Sequence, residues 1–193
     1  MNQDWQNFLS TQGVHLQDGI AQHFGDAAAE RIATRDGAVR CALSQFGLLK
    51  VSGEDAQSFL QNLLSNDIRE VTSTRAQLSS FNNAKGRMLA SMLIWRMGDD
   101  YLLQLHHSLC EPIRKKLSMY VLRSKVKIVD VSAELVCIGI AGADALKTLQ
   151  VLYPALPQQT MEVATQGEDS ILCRDATRFQ ITTTPQRAIE LWQ

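Results

Sequence analysis

The sequence predicts an α+β fold of two duplicated strand–helix–meander–helix units, at residues 43–132 and 133–193, packed around a central cleft. An N-terminal arm of residues 1–42 precedes them. Two observations predict this fold. A well-marked β-hairpin lies at residues 79–96, and the strand and helix before it recur later in the chain at a constant spacing. The 193 residues are enough to bury a hydrophobic core of this kind.

The arm is expected to contain one short helix followed by irregular chain. Trp5, Phe8 and Leu9 recur at a spacing that places them on one side of a helix. Glycines then interrupt the segment, at positions 13, 19, 25 and 37. We therefore expect an arm that lies over a later part of the protein.

The first unit is expected to begin with a strand at residues 45–51, followed by a helix. Ser52 is the expected N-cap of this helix because Asp55 follows it at the spacing of a capping box. The apolar residues of the helix share one face: Ala56, Phe59, Leu60, Leu63 and Leu64.

The hairpin at residues 79–96 turns at residues 83–86, where Gly86 can adopt the positive φ that tight turns need. Its second strand is apolar on both faces, which predicts a strand covered on both sides. Lys85 and Arg87 would then form a cationic edge at one end of the sheet. The alternative is that both are solvated turn residues without a role.

A turn at residues 98–100 and a strand at residues 101–105 complete the predicted meander. Ser108 and Glu111 have the spacing of a capping box for the next helix. Pro112 would then fall in the first helical turn, where its missing N–H costs nothing. A last strand of this unit is expected at residues 126–131.

The repeat is clearest at the strand–helix junction, where residues 51–63 align with residues 140–152 at an offset of 89 residues. The recurring pairs are Gly53 and Gly142, Asp55 and Asp144, Ala56 and Ala145, Leu60 and Leu149, Gln61 and Gln150, and Leu63 and Leu152. Further strands near 170–174 and 177–183 and a helix from Pro185 are the expected counterparts of the later elements. Chance similarity of two strand–helix units is the alternative, whereas a duplication would place a ligand-binding cleft between the halves.

The composition argues against several kinds of partner. The formal net charge is −1, so no basic excess indicates direct nucleic-acid binding. No apolar run approaches the ~20 residues of a membrane span, and no cationic amphipathic face indicates membrane binding. The cysteines, at positions 41, 110, 137 and 173, lack metal-ligand spacing. We expect reduced thiols in a cytoplasmic protein, and no metal in this chain.

Five segments in order resemble the YgfZ-type folate-binding proteins, which are relatives of the T-protein (aminomethyltransferase) of glycine cleavage. The segments lie at residues 48–56, 59–61, 65–67, 83–87 and 120–126. The resemblance implies a scaffold that binds tetrahydrofolate in a central cavity. It also implies an accessory role toward iron–sulfur proteins or their assembly factors, which would support tRNA modification indirectly.

Members of that family continue into a Lys-Gly-Cys signature and a small terminal β-barrel. This chain ends at Gln193 without either, so we expect an N-terminal fragment whose second unit is truncated. A divergent short form is the alternative.

A second departure from the family concerns catalysis. The aminomethyltransferases carry two acidic residues shortly after the hairpin glycine, where this chain has Leu89 and Ala90. Apolar side chains cannot accept a proton, so we expect no catalytic residues. One alternative is an aminomethyltransferase or demethylase that uses Asp67 or Glu54 instead. Another is a protein-interaction module whose cleft holds no ligand.

A folate site needs an apolar or aromatic wall, a few polar groups for the ring edge, and cations for the glutamyl tail. Phe46 is the candidate wall, because the family places an aromatic residue at the folate near this position; a core residue is the alternative. Lys85 and Arg87 are candidates for the tail, or for a partner surface.

Three further residues complete the candidate site. Asn66 and Asp67 follow the first helix and are candidates for the ring edge, with helix-cap and loop chemistry as their alternative. Tyr101 is a candidate to pack on the ring, or simply within the meander. A cationic patch ranks lower because the helix macrodipole explains it without a ligand; it consists of Tyr120, Arg123 and Lys125.

Overall fold

The structure, a computed structural model, describes residues 2–193. Its elements run in the order α1 (Gln3–Thr11), β1 (His15–Gln17), β2 (Ile20–His23), α2 (Ala27–Asp36), β3 (Val39–Ala42), β4 (Phe46–Ser52), α3 (Ala56–Leu63), β5 (Gln77–Asn82), β6 (Met88–Met97), β7 (Asp100–His106), α4 (His107–Ser118), β8 (Lys127–Asp130), β9 (Val136–Ala141), α5 (Ala145–Leu152), β10 (Val163–Gln166), β11 (Asp169–Asp175), β12 (Arg178–Thr183) and α6 (Pro185–Trp192). The predicted α+β class is confirmed.

Within residues 2–193, no helix has the length and hydrophobicity that crossing a membrane would require.

The described chain divides into two compact units. The middle unit is Phe46–Ser132. The terminal unit combines the described residues up to Gln45 with Ala133–Gln193, so the arm belongs to the same unit as the second repeat.

The middle unit is an antiparallel sheet with the strand order β5-β6-β7-β4-β8. Helices α3 and α4 cover one face, because apolar residues of both helices join the strands in one core cluster. The helices contribute residues such as Phe59, Leu60, Ile113 and Leu117. Each sheet strand therefore has a helix-packed face and a second face.

The predicted hairpin is confirmed as β5 and β6. Gly86 has φ 74° and its N–H donates to the Asn83 carbonyl oxygen at 2.9 Å. The sequence predicted that β6 is covered on both faces, and this is true for only part of the strand. Residues 92–95 are buried, but Met88 is 63% exposed, because β6 begins beyond the end of its neighbour β7.

The predicted N-cap of the first helix is wrong. Ser52 is the last residue of β4, and α3 begins at Ala56 after Asp55. The Asp55 side chain makes no capping hydrogen bond; its Oδ2 accepts from the Lys125 backbone N–H at 2.7 Å instead. The carboxylate thus ties the helix start to the chain that precedes β8.

The predicted start of the next helix is also wrong. β7 passes directly into α4, so the helix begins at His107 and Ser108 already lies inside it. Pro112 therefore falls in the second turn. Glu111 accepts hydrogen bonds from Arg114 Nε at 2.8 Å rather than closing a capping box.

The terminal unit contains a five-stranded antiparallel sheet with the order β10-β11-β12-β9-β3, and the separate hairpin β1–β2. The predicted arm helix is α1, which packs against α6 with the Trp5 and Trp192 rings 5.4 Å apart. The arm also forms β1, β2, α2 and β3, which the sequence analysis did not predict. β3 completes the sheet by pairing with β9.

The duplication is confirmed by topology. Each five-stranded sheet places a meander of three strands beside the strand that precedes the first helix, and a further strand on its outer side. Helices α3 and α5 have the same length and lie 89 residues apart.

The two strand–helix corners share one backbone feature, a glycine with positive φ. Gly53 and Gly142 have φ of 117° and 125°. A Cβ at Gly53 would overlap the Lys125 carbonyl oxygen, and one at Gly142 would overlap the Gly37 carbonyl oxygen. Only glycine fits such a corner without strain, because it has no Cβ and tolerates positive φ.

Candidate functional site

The second face of the middle sheet carries a strip of buried side chains. Side chains directly opposite each other in antiparallel strands lie on the same face. Gln104 of β7 is paired with Leu93 of β6 and Leu48 of β4, and the next pair on this face is Trp95 with Leu102. None of these residues belongs to the helix-packed core cluster of the unit. Together with Phe46, we call them the amide strip.

The amide strip contains two buried N–H donors without a partner among the described residues. They are Gln104 Nε2 and Trp95 Nε1, on residues that are 4% and 1% exposed. Buried donors are nearly always hydrogen-bonded, so an unpaired one indicates strain or a place for a water, an ion or another molecule. The two residues are diagonal neighbours across β6 and β7, at a separation of about 7–8 Å that long and aromatic side chains can span.

Phe46 lies on the same face of the sheet, at the end of the amide strip. It alternates with Leu48 along β4 and pairs with His106 of β7. Gln104 is its diagonal neighbour, so aromatic rings flank this amide on two sides. Phe46 is 39% exposed, which makes this end of the amide strip the accessible one.

Lys85 and Arg87 lie in the hairpin turn at the same end of the sheet, because β6 extends past His106 of β7 toward the turn. The Asn83 side chain holds the turn: its Oδ1 accepts from the backbone N–H groups of Lys85 and Arg87 at 2.9 and 3.0 Å. Both cationic side chains are exposed, and neither forms an ion pair with another residue in the range 2–193.

Asn66 and Asp67 lie beside edge strand β5 and make local hydrogen bonds. Asn66 Nδ2 donates to the Leu78 carbonyl oxygen at 3.0 Å. Asp67 accepts from the Arg69 backbone N–H at 3.0 Å and pairs with its guanidinium at 2.6 Å. The Arg69 hydrogen bonds lower the pKa of Asp67 to about 2, so this carboxylate is ionised at neutral pH.

Tyr101 lies on the opposite, helix-packed face of the sheet. It is buried in the same core cluster as Leu103 and Leu105 of its own strand. Arg96 stacks over its ring, with the guanidinium carbon 5.4 Å from the ring centroid. The structure therefore places Tyr101 away from the amide strip.

Trp95 and Gln104 were not among the site residues predicted from the sequence. The sequence does mark the glutamine as unusual, because it is the single polar residue in an otherwise apolar stretch at residues 101–105. Its neighbours could not be named without the register of three strands.

The carboxylates needed for acid–base chemistry are absent from the amide strip. Ala90 is buried in the helix-packed core, and Leu89 packs against that core. Glu54 is exposed and pairs with Lys125 Nζ at 2.7 Å, and Asp67 is bound to Arg69. The amide strip itself therefore presents hydrogen-bond donors and apolar walls. The same face of the sheet also carries His106, opposite Phe46, and the ion pair of Lys50 and Asp100 at 3.7 Å.

No group of three histidine, cysteine or acidic side chains suited to hold a metal occurs among residues 2–193. Among residues 2–193 no disulfide joins the four cysteines, and all but the half-buried Cys41 are buried. Burial raises the pKa of Cys110 to about 11, so this thiol is protonated at neutral pH.

The chemistry of the amide strip can be compared with that of the reduced pterin ring expected from the sequence. Such a ring is flat and carries a carbonyl oxygen and ring nitrogens that accept hydrogen bonds, which Gln104 and Trp95 can donate. Phe46 offers an aromatic wall at the exposed end, and the cations of the turn suit an anionic glutamyl tail.

Comparisons with known proteins agree with this fold. The sequence model of the family described as GCVT N-terminal domain matches residues 6–191. The tRNA-modifying protein YgfZ of Shigella boydii is 29% identical over 143 residues, which are 73% of this chain and 44% of the relative. The Escherichia coli protein of the same name gives the same values. The chain thus spans less than half the length of these relatives.

A solved structure gives the same picture of the fold. Aminomethyltransferase T of the glycine cleavage system from Bartonella henselae superimposes with a TM-score of 0.84 at 17% identity. The match covers 100% of this chain and 56% of that protein. At this level of identity the likeness concerns the fold alone.

Proposed function

The chain belongs to the family of GCVT N-terminal domains, a family of the folate-binding type, and from this premise we propose that its middle unit binds tetrahydrofolate without transferring an aminomethyl group. The observation that carries the proposal is the amide strip, with two buried unpaired donors beside Phe46. Gln104 and Trp95 would hold the ring edge, and Lys85 and Arg87 the glutamyl tail. Asn66 and Asp67 would contribute indirectly, by fixing through their hydrogen bonds the loop between α3 and β5. The cleft predicted between the repeats stays a prediction.

The presence of Leu89 and Ala90, where the aminomethyltransferases carry acids, supports the second half of the proposal. Bound tetrahydrofolate supplies a ring amine that can accept a one-carbon unit. Transfer to it also needs a group that moves a proton, and neither Leu89 nor Ala90 can do so. The carboxylates considered for the alternative enzyme are those of Asp67 and Glu54, and both are engaged by cations off the strip.

Binding and turnover can be measured separately on the 193-residue chain. We expect calorimetry to show saturable binding of tetrahydrofolate, and assays with aminomethylated or N-methylated donors to show no folate-dependent turnover. An unrelated protein of equal size is the control for binding. Binding no better than to that control would contradict the proposal, and so would turnover lost in Asp67→Asn or Glu54→Gln.

We further propose that the whole protein supports iron–sulfur proteins, with tRNA-thiolating enzymes among the beneficiaries. The support is the likeness to relatives named tRNA-modifying proteins and the family resemblance of the motifs. Deleting the gene should lower the activity of a cluster-containing tRNA-thiolating enzyme and spare a cluster-free tRNA methylase. Equal loss of both activities, or of neither, would contradict this role.

A further inference from the structure

The terminal unit contains a pocket that no sequence motif predicted. Its volume is about 630 Å³, within the range of small-molecule sites. The hairpin β1–β2, helix α2, strand β3 and helix α6 contribute its walls. Its lining includes two aromatic residues and two arginines, which are Phe24, Trp192, Arg31 and Arg40.

The floor of this pocket is aromatic. The Phe24 and Trp192 rings lie 5.3 Å apart, tilted by 41°. Trp192 is 3% exposed and packs edge-on against Trp5 on its other side. Trp192 is therefore a fixed, buried wall, and the half-buried Phe24 ring is the aromatic surface that a flat ligand can reach.

Two arginines also line this pocket. The guanidinium carbon of Arg40 is 5.2 Å from the centre of the Trp192 ring, and Arg31 lines the pocket from helix α2. Among residues 2–193, neither arginine is within ion-pair distance of a carboxylate. Arg35 of the same helix differs, because it is paired with Asp36 at 2.6 Å.

One carboxylate also lines the pocket, but it is occupied. Glu30 Oε1 accepts a hydrogen bond from the Phe24 backbone N–H at 2.7 Å. The Cys41 thiol adds no charge, because burial raises its pKa. The lining therefore keeps a net positive charge, with donors that remain available for an acidic group.

We propose that this pocket binds a small planar aromatic carboxylate, with its ring against Phe24, beside Trp192, and its carboxylate on Arg31 and Arg40. Guanidinium donors bind carboxylates in a bidentate manner and stack on aromatic faces, which matches both parts of such a ligand. This site is in the terminal unit and is independent of the amide strip.

The test uses 2-naphthoate as the probe and follows the indole N–H signals of Trp5, Trp95 and Trp192 by NMR. We expect 2-naphthoate to move the Trp192 signal saturably and to leave that of Trp95, which lies in the middle unit, unchanged. The neutral analogue 2-naphthamide and the ringless anion acetate should each bind at least about tenfold more weakly.

Matched variants separate the pocket from general attraction to a basic surface. Arg31→Gln and Arg40→Gln should each weaken 2-naphthoate binding about tenfold, whereas Arg35→Gln on the same helix should bind as the wild type does. Arg31 is exposed on a helix, so its variant tests the site even if Arg40→Gln disturbs Trp192. Equal binding of the amide, equal loss in Arg35→Gln, or no movement of the Trp192 signal would overturn the proposal.

Discussion

Replacing Gln104 with leucine should weaken the binding of tetrahydrofolate to this chain about tenfold or more, while the free energy of unfolding stays unchanged or rises. The lost hydrogen bond to a ring acceptor is worth about 1–3 kcal/mol, and each 1.4 kcal/mol is about tenfold in affinity. The folded protein leaves Gln104 Nε2 buried and unpaired, so an apolar side chain of similar size removes a cost. Calorimetric titration and urea unfolding measure the two effects.

The matched control is Gln61→Leu, which makes the same chemical change elsewhere in the middle unit. Gln61 Oε1 accepts from the Ile68 backbone N–H at 2.9 Å, so its loss should lower the free energy of unfolding by about 1–3 kcal/mol and spare folate affinity. The two variants should thus show opposite patterns. Equal folate affinity in Gln104→Leu and in the wild type would exclude Gln104 as a ligand contact.

Replacing Gly53 with alanine should lower the free energy of unfolding by at least about 3 kcal/mol. The new Cβ would meet the Lys125 carbonyl oxygen, and the residue would also be held at a φ of 117°. Gly142→Ala should act in the same way on the terminal unit, where the Gly37 carbonyl oxygen lies in the path of the Cβ. Urea unfolding of purified variants measures both effects.

Gly86→Ala is the control that separates positive φ from overlap with the backbone. Gly86 also has a positive φ, of 74°, but no heavy atom lies within 4 Å of its Cβ position. Its replacement should cost only about 1 kcal/mol. If Gly53→Ala were no more destabilising than Gly86→Ala, the close approach at the strand–helix corner would not be a constraint on the fold.

The repeat could be predicted from sequence because its signal is local. Gly53 and Asp55 recur as Gly142 and Asp144, and the reason is the tight strand–helix corner that each glycine allows. The hairpin was equally accessible, since a turn glycine and two flanking apolar strands suffice to identify it. Such features depend on neighbours within a few residues.

The remaining elements could not be predicted because they depend on distant contacts. β3 exists as a sheet strand only because it pairs with β9, about one hundred residues later in the chain. The two capping boxes failed for the opposite reason: serine followed by an acid is a common pattern, and tertiary contacts moved both helix starts. Asp55 bonds the Lys125 backbone, and β7 runs into α4 without a loop.

The same contrast between local and distant contacts applies to the residues of the candidate site. The hairpin indicated that Lys85 and Arg87 lie at one end of the middle sheet, and the register of β4 and β7 adds Phe46 to that end. Tyr101 lies on the helix-packed face, and a strand residue changes face with every step along the chain. Trp95 and Gln104 become neighbours only through the register of β6 and β7.

The most direct test of the central claim is an NMR titration of the isotope-labelled chain with tetrahydrofolate, followed on its three indole N–H signals. Trp95 Nε1 has no partner among the described residues, so a hydrogen bond to the ring should shift its signal strongly, at the concentration where calorimetry reports binding. In Gln104→Leu the same shift should need about tenfold more ligand. Saturable binding that leaves the Trp95 signal in place would contradict a folate site on the amide strip.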